Sequence, residues 1–270
     1  MSVSLVAAAP ALPGSFADFG PAQLATAIIA VYLVVGEPFV GYVLHRRFEG
    51  RLRTDPAARR SFYRRLLVLE WGLAVVVLVV WLAASDVSAA QVGLGPPTRW
   101  PGLFTTAAVL ALLVLVLVST RALRGGAVAG PPPEVLRRTR PGEARHAEPP
   151  GHATLALLPR SRSERRLFAL VGVTAGVCEE WLYRGFFLAA VAALAPGLPD
   201  GVLVLVAGAA FGLAHAYQGV SGILTTGVLG GVLAAVYLAT GSLVLPVLLH
   251  AAIDLRFLLV PSSALPAAVR

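Results

Sequence analysis

Apolar residues fall in long blocks along this chain, and the polar residues are gathered between them. The blocks lie at about 22–44, 66–84, 102–120, 167–195, 202–217, 221–240 and 243–260. About 20 apolar residues of helix cross the hydrocarbon core of a bilayer. Most of the blocks approach that length, whereas 202–217 and 243–260 are short. The pattern predicts an all-α fold, a polytopic transmembrane helical bundle of about seven spans.

Two polar stretches divide the blocks. Residues 45–65 carry eight arginines, and residues 121–166 carry ten around a Pro-rich middle, PPPEVLRRTRPGEARHAEPP. Neither stretch suits lipid. The second reads as a surface loop, with 152–168 as an interfacial lead-in to the next span. Two spans separate the two arginine-rich stretches, so they share one side, which the positive-inside rule makes cytoplasmic. The expected topology has the N-terminus outside, PGLPDG at 196–201 as an external turn and the C-terminus inside, in the plasma membrane. The expected division is an N-terminal tail with three spans over 1–120, an Arg/Pro-rich cytoplasmic loop over 121–166, and a four-span half over 167–270.

Composition narrows the classes. The chain is 57% hydrophobic and only 13% charged. A soluble domain is roughly a quarter charged. The net charge is +8, and every basic residue is Arg. No aromatic-basic module accompanies them, so they point to anionic lipid and not to nucleic acid. Cys178 is the only cysteine, which excludes an intrachain disulfide. Residues 1–20 lack a basic n-region and read as a tail, not a cleaved signal. An all-Arg chain rich in Ala, Val, Leu and Gly suggests a GC-rich bacterial source. Gly208, Gly212, Gly222, Gly227, Gly230 and Gly231 punctuate the fifth and sixth blocks, where small residues let helices approach closely in lipid.

The chemistry lies in ionisable residues that interrupt the last four blocks, since a charge at bilayer depth needs a partner or a function. Glu179 and Glu180 are adjacent and lie about 100° apart on a helix. Glu180 and Arg184 stand at i,i+4 in the favourable order and can pair. Glu179 has no base at that spacing and is left free to act. His215 ends the fifth block. His250 and Asp254 share one face of the seventh. If these helices pack together, acids and imidazoles converge as water activation requires. The same donors, Glu179, His215, His250 and Asp254, also form a plausible zinc set. Each cluster alone also has a structural reading, as a satisfied buried pair or a helix-end histidine. Glu37-Pro38 in the first block suits a kink, with Glu37 facing a cavity, lying at the inner interface or making an internal hydrogen bond. His45, His146 and His152 lie in polar stretches and carry no assigned role.

The order and spacing of three segments resemble a known family. EEWLYR (179–184) resembles EExxxR, FGLAH (211–215) resembles FxxxH, and HAAID (250–254) resembles HxxxN/D. These are motifs of the CPBP family, the CAAX proteases and bacteriocin-processing enzymes also called Abi, whose eukaryotic relatives are the type II CAAX prenyl endopeptidases. The resemblance covers about 160–260. It implies an intramembrane endopeptidase in which Glu179 is general base, His215 orients the water, and His250 with residue 254 stabilises the oxyanion. Glu180 and Arg184 would support them. Asp254 stands where the prenyl endopeptidases have Asn, and an ionised Asp donates no hydrogen bond. It is therefore protonated, or orients His250, or binds a metal. The implied partners are the lipid bilayer and a membrane-associated protein or peptide substrate, such as a bacteriocin or pheromone precursor. HExxH, the stronger zinc-protease signature, is absent, and zinc remains open. Two other classes compete: a proton-coupled transporter, because intramembrane acids and histidines also build proton relays, and a non-catalytic immunity or scaffold protein of the same fold.

Overall fold

The computed structural model describes residues 21–83, 87–125, 155, 157–262 and 265. The tail at 1–20, the Pro-rich middle of the second polar stretch, His146 and His152 lie outside the described residues. Every regular element among the described residues is helical. Helix α1 (Pro21–Val31) passes through a π-helical turn (Tyr32–Gly36) into α2 (Glu37–Thr54). Then come α3 (Pro56–Ala83) and α4 (Leu103–Arg124). Helix α5 (Arg162–Glu180) continues through a π-helical segment (Trp181–Phe187) into α6 (Leu188–Leu194). Helix α7 (Asp200–Ala214), a 3-10 turn (Ala216–Gln218), α8 (Gly219–Thr240), α9 (Val244–Leu255) and a last 3-10 turn (Arg256–Leu259) complete the bundle.

Among the described residues, four stretches are long and apolar enough to cross a membrane: Pro21–Phe48, Ala57–Ala83, Leu103–Ala122 and Ala216–Thr240. They coincide with the first, second, third and sixth expected spans. Their outer faces display Trp71, Val75, Val79 and Val114. An apolar belt of this size on a helical bundle is a lipid-facing surface. The chain is therefore a helical membrane protein. The other three expected spans are helices too, but α7 and α9 are short and the run from α5 to α6 carries charge.

The first arginine-rich stretch, whose arginines read as those of a cytoplasmic loop, is instead helical, for α2 runs to Thr54 and α3 starts at Pro56, with Asp55 alone as the joint. Arginine is a good helix former. Proline at the first helical position needs no backbone donor. The Asp55 carboxylate accepts from Ala57 N at 2.8 Å and so holds an orphan amide. His45, expected in a polar stretch, is correspondingly a buried α2 residue whose ring lies 5.3 Å from Tyr217.

The N-terminal helices are fastened to the C-terminal half at three levels. At one end, Ser161 and Glu164 form a capping box for α5, and the same Glu164 pairs with Arg59 of α3 at 3.0 Å with both side chains buried. At mid-height, Trp71 Nε1 donates to Thr174 Oγ1, and Trp181 Nε1 donates to the Ala74 carbonyl, both at 3.2 Å. Nearby, the Tyr183 hydroxyl donates to the Leu33 carbonyl at 3.3 Å. Those two residues belong to the two π-helical segments, whose wider turns free carbonyls from the i,i+4 ladder. An apolar core around Leu33, Val77, Leu182, Phe187, Ala207 and Phe211 fills the space between them.

Candidate active site

Two glycines of α5 set the site. A Cβ at Gly176 would stand 2.9 Å from Ala251 Cβ and 3.0 Å from Ala251 N. One at Gly172 would stand 3.3 Å from Asp254 Cβ. The small-xxx-small spacing lets α5 and α9 touch backbone to backbone. Glu179 and Glu180, one turn beyond Gly176, then lie beside His250 and Asp254. A second glycine contact fixes α7 to α8. A Cβ on Gly208 would be 2.8 Å from Gly227 O, and one on Gly212 would be 2.6 Å from Ile223 O. That contact carries Phe211 and His215 to the same centre.

Glu180 is the hub. Its Oε1 receives Arg184 Nη1 at 2.8 Å and His250 Nδ1 at 2.7 Å, and both acid and guanidinium are fully buried. Arg184 Nη2 also donates to Gly230 O at 2.9 Å, and the guanidinium lies over the Phe211 ring at 4.5 Å. A carboxylate only accepts, so His250 donates from Nδ1 and turns Nε2 to the other side of its ring. There Nε2 lies 3.8 Å from Glu179 Oε2 and 3.8 Å from Asp254 Oδ2. Glu179 and Asp254 retain some side-chain exposure, so this side of His250 is less buried than the Glu180 side, although Glu179 Oε2 is sealed. Glu179 Oε2 itself has no hydrogen-bond partner among the described residues.

His215 stands beside Phe211. Its Nδ1 stands 2.8 Å from the Phe211 carbonyl. A carbonyl cannot donate, so Nδ1 carries the proton, and in the neutral ring Nε2 presents a lone pair. Phe211 separates the imidazoles, with ring centroids 4.7 Å from His215 and 5.7 Å from His250. Glu179, Glu180, Arg184, His250 and Asp254 are thus gathered directly, and His215 stands one ring away.

As placed, these donors do not fit a metal centre. Among the described residues, no group of three or more His, Cys, Asp or Glu side chains is arranged to hold a metal ion.

Three groups escaped the sequence reading or were left open by it. Glu70 of α3 lies within electrostatic reach of Glu179, Asp254 and Glu37, and its Oε2 is sealed without a hydrogen-bond partner among the described residues. Its signal was available, a single carboxylate inside an apolar span. Glu37 pairs with the Tyr32 hydroxyl, which is the internal hydrogen bond among its expected alternatives, and it lies in electrostatic range of Glu179. Tyr217, two residues after His215, lies in electrostatic range of Glu179 and Asp254 and had no motif to mark it. Beside this polar layer lies a cavity of about 610 Å³ with an almost wholly apolar lining that includes Trp71, Val75, Cys178, Trp181, Val247 and Leu248. Those residues neighbour Glu70, Glu179 and His250 along their helices.

The family model described as "Type II CAAX prenyl endopeptidase Rce1-like" matches residues 162–256. No curated protein and no solved structure matches the chain. The matched stretch holds all three motifs and every residue of the Glu180 hub. It supports placing residues 162–256 in the CPBP family of CAAX-type intramembrane proteases.

Proposed function

We propose that the protein is an endopeptidase that hydrolyses a peptide bond of a membrane-associated protein or peptide within the bilayer. The observation that carries this reading is the meeting of Glu179, His250 and Asp254 across 3.8 Å gaps on one side of a buried ion-paired hub. Glu179 takes a proton from a water that His215 Nε2 helps to hold. The hydroxide so formed attacks the carbonyl carbon, and the carbonyl π pair moves to oxygen. His250, cationic with Nδ1 on Glu180, donates from Nε2 to that oxyanion, and Asp254 orients the ring. The proton on Glu179 then passes to the amide nitrogen, and the C–N bond breaks. Glu180 and Arg184 hold His250 in place. The apolar cavity beside the layer suits a substrate that arrives through lipid, such as a bacteriocin or pheromone precursor. The arginine-rich stretches would face the cytoplasm at the plasma membrane, with the N-terminus outside.

The test is cleavage of a peptide library by detergent-purified protein, with wild type, Glu179→Ala and His215→Ala run together. The reading requires cleavage by wild type and its loss in both variants. Variants that cleave as well as wild type would sink it. The sealed, unpartnered oxygens of Glu70 and Glu179 favour one rival, a proton-coupled carrier. Proton-driven uptake into vesicles without cleavage would select that rival.

A further inference from the structure

Arg184 is fully buried, and its hydrogen bonds meet its charge only in part. Nη1 donates to Glu180 Oε1 at 2.8 Å, and Nη2 donates to the Gly230 carbonyl at 2.9 Å. Nε is sealed and has no hydrogen-bond partner among the described residues. A guanidinium is planar and donates only along its rim, so its faces need a partner of another kind. The Phe211 ring supplies one, with its centroid 4.5 Å from Arg184 Cζ. The face of an aromatic ring is negative and attracts a cation, most strongly where water is excluded.

Phe211 is held in that place from several sides. It is 1% exposed. A Cβ on Gly230 would stand 2.8 Å from Phe211 Cβ, so the residue is pressed against the turn of α8 whose carbonyl receives Arg184. The Tyr183 ring packs across it at 86°, with centroids 5.3 Å apart. The same Phe211 ring lies 5.7 Å from His250, at 84°, and 4.7 Å from His215. Its carbonyl takes the proton of His215 Nδ1. One residue therefore touches Arg184 and both imidazoles. A second link to His250 runs through Glu180, because Arg184 and His250 share its Oε1. A guanidinium that loses its ring partner draws harder on that oxygen and leaves less of it to His250.

We infer that Phe211 is a positioning residue whose π face balances the Arg184 guanidinium and thereby sets how Glu180 holds His250. Its consequence for cleavage rests on the peptidase reading. The role is electrostatic, and an apolar side chain that only filled the same space would not perform it. No bond forms or breaks at Phe211, and no proton moves there. The first residue of FGLAH thus acts on the hub of α5 and α9 as well as on His215.

The test replaces Phe211 in the full chain with mono-, di- and trifluorinated phenylalanines. Fluorine drains the ring face of negative charge in steps and changes its shape little. Across the series kcat should fall stepwise, by about 10- to 30-fold in all, the range of a desolvated cation–π contact, with KM unchanged within about twofold. The second readout needs no substrate. In detergent-purified protein labelled with 15N-histidine, the Nδ1 resonance of His250, assigned by its loss in His250→Gln, reports the bond to Glu180. It should move in the same steps. A kcat that stays flat across the series would overturn the inference. So would a fixed His250 resonance beside a falling unfolding temperature, which marks a ring that only fills space. If wild type cleaves nothing, the peptidase reading fails, and the resonance still decides whether Phe211 positions His250: stepwise movement supports it and a fixed signal overturns it.

Discussion

His250 Nδ1 lies 2.7 Å from Glu180 Oε1, the same oxygen that Arg184 Nη1 reaches at 2.8 Å. One buried carboxylate oxygen thus neutralises a guanidinium and fixes the direction of an imidazole. Removing one partner of a buried ion pair leaves an uncompensated charge and costs about 3–5 kcal/mol. Glu180→Ala is expected to lower thermal stability in detergent by an amount of that order and to abolish cleavage. Glu180→Gln keeps the shape but not the charge, and is expected to lose kcat as His250 loses its orientation. Thermal unfolding of the pair, read beside activity, checks this. A Glu180→Ala protein as stable as wild type would show that the hub is not structural.

Glu179, one residue earlier, should behave in the opposite way. Its Oε2 is sealed and has no hydrogen-bond partner among the described residues. A buried carboxylate without a hydrogen-bonded base is unfavourable for folding. Glu179→Gln is therefore expected to leave stability unchanged or raise it. Loss of a general base costs about 100- to 10,000-fold in rate. The informative measurement is the pairing of the two readouts in one variant. A Glu179→Gln protein as unstable as Glu180→Ala would make Glu179 part of the scaffold.

The contrast between these two neighbours was legible in the sequence, because i,i+4 spacing hands Arg184 to Glu180 and leaves Glu179 without a base. The second partner of Glu180 was not, since His250 is 70 residues away and reaches it only through helix packing. The packing signal itself lies in Gly172 and Gly176, which stand out less than the denser glycines of the fifth and sixth blocks. Glu70 and Tyr217 illustrate a different limit. Neither belongs to a motif, and only the assembled bundle brings it within electrostatic range of Glu179. Helical boundaries around 45–65 were obscured for another reason. Arginine marks a stretch unsuited to lipid, yet it is a good helix former, so charge hid the continuation of α2 into α3.

Gly176 gives a test of how finely the site is set. A methyl group there would meet Ala251 N at 3.0 Å and Val247 O at 3.1 Å. Those are backbone atoms, which move only if α9 moves. Overpacking of this kind costs about 1–3 kcal/mol. The shift also separates His250 from Glu179, and misplacement by about 1 Å can cost about 100-fold in rate. Gly176→Ala is expected to fold, with a modestly lower unfolding temperature and a kcat reduced far more than its stability. Disulfide cross-linking of cysteines placed on α5 and α9 would report the widened gap. Full activity in Gly176→Ala would mean that the helix contact does not set the catalytic geometry.

Glu164 makes the joint between halves dependent on pH. Burial pushes its carboxyl up, but the backbone N–H groups of Ser161 and Arg160 and the Arg59 guanidinium outweigh it and hold it below the ordinary 4.5. Oxygen Oε1 takes Arg59 Nε at 3.0 Å, while Oε2 takes Arg160 N at 2.8 Å and Ser161 N at 2.9 Å. The unfolded chain binds a proton at Glu164 more readily than the folded one does. The stabilisation is therefore complete above the ordinary carboxylate range and is lost as pH falls through the lowered folded value. Glu164→Gln removes this acid-side dependence along with the ion pair. The measurement is the unfolding temperature of wild type and Glu164→Gln through the acid range. The gap between them should be widest at neutral pH and close as acid protonates the wild-type carboxyl. A gap that stays constant across that range would mean that Glu164 contributes its shape to the α5 cap but not its charge. Arg59→Ala discriminates further, because it removes the tie to α3 and leaves both backbone donors on Glu164. Its acid dependence should persist at reduced amplitude, with the N-terminal helices loosened from α5.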